Sequence, residues 1–164
     1  MKLRELFDHL DFSELSQLAG IDPVTGLIEE RSYDKVLSAI NLGLTALHSR
    51  FFIKEEELKL QLVAGQTLYK LTSAYTQSSG NSGYYILDAD NPFRDNLLKI
   101  ESVCDSDGNE FALNDHSDVA SLHTPTLTSL RVPADIEIGV LTVTYRANHR
   151  ILPIGYDGYN ADFV

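Results

Sequence analysis

One cysteine, Cys104, is the entire thiol content of this 164-residue chain, so no intrachain disulfide framework can hold it. That usage fits a reducing compartment. Basic residues are also scarce: 13 Lys and Arg stand against 24 Asp and Glu, for a net charge of −11. A protein that grips nucleic acid neutralises phosphates with clustered Lys and Arg, and here they are scattered singly. The excess acid has two physical uses. It keeps a soluble protein in solution, and on a channel wall it repels DNA, which then slides without sticking. Long apolar runs are missing, with no stretch near the roughly 20 residues a membrane-spanning helix needs. The first residues, Met1-Lys2-Leu3-Arg4-Glu5-Leu6-Phe7-Asp8, are charged and amphipathic and lack the apolar centre of a signal peptide. The expectation is a soluble chain without an export signal and without a membrane partner.

The motifs of common chemistry are absent as well. Neither G-x-G-x-x-G nor G-x-x-x-x-G-K-[ST] occurs, which argues against a nucleotide-dependent enzyme. The five histidines, His9, His48, His116, His123 and His149, are never three or four residues apart, so no zinc pattern forms. Asp105-Ser106-Asp107-Gly108-Asn109 resembles a calcium loop, but its glycine comes too early and His116 stands where a bidentate Glu is needed. A hairpin turn explains it better. Asp88-Ala89-Asp90-Asn91-Pro92 lacks the glycine altogether and reads as a turn before Phe93. Asp115, His116, Ser121 and His123 hold the parts of a hydrolytic triad, yet no G-x-S-x-G elbow exists, and Gly80-Asn81-Ser82-Gly83 is one residue short of one. The sequence therefore predicts no enzyme, no metal and no cofactor.

What is present divides by period. Residues 2–10 and 13–19 read as short helices, the second opened by Ser13 and closed at Gly20. A turn region around Asp22-Pro23 and Thr25-Gly26 leads to the strongest helical pattern, about residues 32–50. Its apolar stripe comprises Val36, Ile40, Leu44, Leu47 and Phe51, widened by Tyr33 and Leu37. Gly43 lies inside that helix at a cost of about 1 kcal/mol relative to Ala. Either it fits a tight spot in the core, or with Ala39 it makes a smooth face for another helix. From residue 57 the period is two: Leu58, Leu60 and Leu62 alternate with Lys59 and Gln61, and Ala64-Gly65-Gln66 predicts a hairpin into 67–71. The polar run 72–83 carries too little apolar content to pack and reads as a loop. Further strands are expected at 84–87, 97–104, 109–113, 129–132 and 140–146, with a possible short helix over 115–122. Helices first and strands afterwards predict an α+β protein with an antiparallel β-sheet or sandwich lobe of about six strands. After it, residues 154–164 match neither period. Tyr156, Tyr159 and Phe163, separated by Gly and Asp, read as an arm that packs on something else, or as a frayed end.

The β half resembles one family. The run Leu62-Val63-Ala64-Gly65-Gln66-Thr67-Leu68-Tyr69-Lys70-Leu71 is similar to the A-G-Q-x-x-Y-x-L hairpin of tailed-bacteriophage head-to-tail connector (adaptor, neck) proteins. The segments 97–103, 122–126, 130–133 and 139–149 follow in that family's order, and 39–47 resembles its long helix. The likeness covers most of residues 30–150. Family members continue past the closing strand into further helices, whereas residues 151–164 show no helical period. A short form, an arm completed by a neighbour and a longer gene product all fit that departure.

The resemblance implies a structural virion protein assembled in the host cytoplasm. Its partners would be the portal protein, neighbouring copies in a ring (typically twelve) and tail or nozzle proteins, with DNA passing through the channel without specific binding. Residues 1–56 would form the helical part, 57–150 the β lobe and 151–164 the arm. Ala39, Gly43, Tyr75, Tyr156, Tyr159 and Phe163 are the candidate assembly residues, and loop 73–83 and the arm are candidates for ordering on assembly. A tail-tube or tail-completion subunit is the nearest alternative. A carbohydrate-binding β-sandwich is another, although it wants a planar aromatic patch, and Tyr75, Tyr84 and Tyr85 must serve in a chain without Trp.

Overall fold

The computed structural model describes residues 32–136 and 139–152. The expected helices at 2–10 and 13–19 lie outside these residues. The chain is mixed α+β with a sheet-rich body, and it divides into two units, residues 1–46 with 150–164, and residues 47–149. The long helix α1 spans Tyr33–Arg50, as its apolar spacing predicts. Leu37 is buried and Val36, Ile40 and Leu44 are partly so. The expected stripe fails at its far end, because Leu47 and Phe51 are exposed.

Among the described residues seven strands follow: β1 (Glu55–Gln61), β2 (Leu68–Lys70), β3 (Ile86–Leu87), β4 (Leu97–Cys104), β5 (His123–Thr126), β6 (Ser129–Arg131) and β7 (Val140–Ala147). They form a four-stranded sheet in the order β3-β1-β7-β4 and a three-stranded sheet in the order β2-β6-β5, with every pairing antiparallel. Strand β7 is central, and its twofold pattern buries Leu141, Val143, Tyr145 and Ala147. Leu58 and Leu60 of β1 and Tyr69 and Leu130 of the smaller sheet join them in one core. In β4 the buried residues Leu97, Ile100 and Val103 are three apart, because register shifts after Leu97 and after Ile100 each insert a residue.

The expected hairpin between β1 and β2 does not form. The turn is there, with Gly65 at φ 78° and Gln66 N donating to Val63 O, but the two strands leave it into different sheets. Tyr69 explains the divergence. Its buried hydroxyl accepts from Val63 N (2.9 Å) and donates to Gln66 O (3.0 Å), locking the corner three and six residues back along the chain. The G-Q-x-x-Y spacing thus encodes a tyrosine-closed corner rather than a hairpin. Tyr69→Phe leaves Val63 N–H and Gln66 C=O without that partner and is expected to cost about 1–3 kcal/mol in urea unfolding.

Two other expectations change. Residues 109–113 form only isolated bridges, Cys104 with Glu110 and Leu113 with Leu122, while β5 supplies a strand at a place without a clear twofold pattern. Residues 115–122 make turns and no helix. The Asp107-Gly108 turn is as expected, with the Asp105 carboxylate accepting from Asp107 N, Asn109 N and Asn109 Nδ2 (each 2.9 Å). Those bonds, led by the Asn109 side chain, hold its carboxyl below the ordinary range.

Candidate assembly surfaces

On α1, residues 39, 42, 43 and 46 share one helical face, and all four are exposed. Leu42 is 73% exposed, and among the described residues a methyl added at Gly43 would meet no atom within 4 Å beyond its own helix. The glycine therefore does not serve a tight spot in the protein's own interior. Ala39 and Gly43 make the face low, and Leu42 makes it apolar. On the same unit Asn41 exchanges two hydrogen bonds with the backbone of Leu152, Nδ2 to O at 3.0 Å and N to Oδ1 at 2.9 Å. That pair fixes the root from which residues 153–164 depart. Tyr156, Tyr159 and Phe163 lie outside the described residues.

In the second unit, the helix end presents Leu47, Phe51, Phe52 and Ile53, exposed by 44–59%. The presentation is built. Phe51 N donates to Leu47 O (2.9 Å) and Ile53 N to Phe51 O (3.0 Å). Arg146 of β7 donates to Ser49 O (2.6 Å), one of the carbonyls a helix leaves unpaired at its C-terminus, and pairs with Glu101 (2.7 Å). Its guanidinium lies 4.8 Å from the centre of the Phe52 ring. Four exposed apolar side chains, one of them backed by the ion-paired Arg146, are a surface that gains from being covered. The sequence signal is the place of Leu47 and Phe51 in the apolar stripe, a spacing that does not say whether the chain covers them.

Tyr75 does not project. It stacks on Tyr85 with centroids 4.9 Å apart, and Tyr85 meets Tyr69 edge-on at 5.2 Å. The Tyr85 hydroxyl accepts from Lys70 N and donates to Lys70 O (both 2.9 Å), and burial pushes its phenol up to about 12. Of the three tyrosines weighed as a sugar platform, Tyr84 alone is exposed. The loop around Tyr75 is also built in, as two short 3-10 turns, Ser73–Tyr75 and Gln77–Ser79. Asp95 accepts from the Ser73 amide and hydroxyl. The buried Asp88 accepts from Ser78 N (2.8 Å), Ser78 Oγ (2.6 Å) and Phe93 N (3.0 Å). Burial opposes ionisation of Asp88, yet those three donors outweigh it and hold the carboxyl below its ordinary value. Ser73, Ser78, Ser79 and Asn81 of this loop thus have hydrogen-bond partners within the chain.

Beside it an open groove of about 690 Å³ is lined by Glu55, Glu57, Lys59, Asp90, Phe93 and Tyr145, among others. At its wall Glu56 accepts from Tyr145 Oη (2.9 Å) and Asn96 Nδ2 (2.8 Å) and pairs with Lys54 (2.6 Å). Burial and the neighbouring carboxylate push the Tyr145 phenol far up. Among the described residues no side-chain hydrogen bond joins Ser121, Asp115 and either histidine into a triad. Ser121 is buried, accepts from Asp115 N (2.9 Å) and donates to Ala112 O (3.0 Å), while His116 and His123 stack on each other at 5.1 Å. Among the described residues, no group of three or more His, Cys, Asp or Glu is arranged to hold a metal ion. Also among them, no helix is long and apolar enough to cross a membrane. No protein-family model matches the sequence, and comparison with curated proteins finds no match.

Proposed function

We propose that this chain is a structural head-to-tail adaptor of a tailed-phage virion, a non-enzymatic subunit whose copies form a ring beneath the portal. In this reading the helical part makes the ring wall against the portal and neighbouring copies. The β lobe is the docking surface for tail or nozzle proteins, and DNA passes through an acid-lined channel. Rings of this kind close by heterologous contacts, one patch meeting a different patch on the next copy. The twelvefold count, the virion location and the sandwich reading of the β lobe belong to this proposal.

The observation that carries it is the open face of α1. A soluble helix normally keeps its apolar and small residues inward, whereas Ala39, Leu42 and Gly43 are exposed and, among the described residues, the space beside Gly43 is open. Support comes also from the net charge of −11 and from the ordered likeness of residues 30–150 to the connector family. A tail-tube or tail-completion subunit shares these features and differs in its neighbours.

Immunogold labelling of particles separates the two. Label confined to the junction of capsid and tail is the adaptor result, label along the tail favours the tube, and particles without label contradict both. Deleting residues 155–164 is expected to lower incorporation into particles several-fold while the β body melts as before. Unchanged incorporation would remove the arm from the account.

A further inference from the structure

The patch at Leu47, Phe51, Phe52 and Ile53 has a matching segment in the same sequence. We infer that it receives the C-terminal arm, residues 154–164, of a neighbouring copy, an inference that rests on the ring reading and names one of its contacts.

Three observations point to that occupant. The first is chemical fit. The arm carries Ile154, Tyr156, Tyr159, Phe163 and Val164 for an apolar surface, with Asp157 and Asp162 as its only charged side chains. The patch is apolar with a basic edge of Arg50, Lys54 and Arg146. Lys54 and Arg146 are engaged by Glu56 and Glu101, whereas Arg50 has no ion pair among the described residues and is the cation at this edge left open to an acidic partner. In a chain of net charge −11, such an edge beside exposed aromatics is selective for an acidic, aromatic segment. The second is rigidity. Arg146 is held by Ser49 O and Glu101 while it supports Phe52, so the platform costs little ordering when it is covered. The third is reach. The Asn41 clamp fixes Leu152, and the twelve residues beyond it can extend roughly 40 Å. A body of about 100 residues has a radius of gyration near 13 Å, so the arm spans the distance to an adjacent copy.

The test uses full-length chains on a Cys104→Ser background, one with Phe51→Cys and one with Tyr159→Cys, mixed with the portal and oxidised. Disulfide-linked heterodimers in the portal-bound fraction are the expected result. Arg50→Glu is expected to reduce their yield at least about tenfold, and Asp157→Lys with Asp162→Lys is expected to restore it. Incorporation without crosslinks between chains overturns the arm contact and leaves the adaptor reading standing. Crosslinks in concentrated protein that does not join the portal support the contact and defeat the adaptor reading. A link formed within a single doubly substituted chain in preference to between chains overturns the exchange, and a chain that neither assembles nor crosslinks defeats both.

Discussion

Asp88→Ala is expected to destabilise the β body by about 3 kcal/mol, with a lower urea midpoint and fluorescence changes from Tyr75 and Tyr85. The size follows from what the carboxylate holds. It is buried and accepts from two amides and a hydroxyl, Ser78 N, Phe93 N and Ser78 Oγ. Alanine removes all three charge-assisted bonds and strands two amides, each worth about 1–3 kcal/mol when left unpaired, less what water recovers. Ser78 lies in the turn that follows Tyr75, so the lost bonds release the loop whose tyrosine covers Tyr85. The effect has a pH sign. The folded carboxyl titrates below its unfolded value, so its stabilisation is fully present above about pH 4 and is lost as pH falls through the folded value. Wild type and Asp88→Ala are therefore expected to converge in strongly acidic solution. A variant with wild-type stability at pH 7 would show that water replaces the carboxylate.

The second large effect separates folding from assembly at one residue. Gly43→Ala is expected to stabilise the isolated chain by about 1 kcal/mol, because a methyl meets nothing there and the helix gains propensity. The Cβ of Gly43→Phe starts from the same open position, so the fold of the isolated chain is expected to survive. In the proposed ring the same position would face a neighbouring helix, and helices pack with axes about 8–10 Å apart only where side chains allow. Overpacking such a contact costs about 1–3 kcal/mol per copy, so Gly43→Phe is expected to lower incorporation more than tenfold. Sedimentation of particles assembled with each variant reads both effects. Normal incorporation of Gly43→Phe would mean that this face lies outside the contact.

The elements with their own period were legible from the sequence, and their partners were not. The helix over 33–50 and the strands at 55–61, 97–104 and 140–147 carry local patterns that one buried face explains. Which strand pairs with which is a long-range matter. Strand β1 lies between β3 and β7, and β2 pairs with β6, although a glycine turn joins β1 and β2 directly. The Tyr69 hydroxyl that diverts the chain was visible only as part of a motif. Leu47 and Phe51 illustrate a different limit, since spacing identifies an apolar stripe but cannot say whether the chain itself covers it. Tyr75 shows the converse: an aromatic in a polar loop looked like a contact residue and proved to be stacked on the core. Gly43 was left between two explanations until the open space around it removed one.

Native mass measurement of the full-length chain, alone and mixed with the portal protein, tests the adaptor account most directly. The account predicts a monomer that adds to the portal ring in equal copy number. A portal whose mass is unchanged by the chain would contradict it.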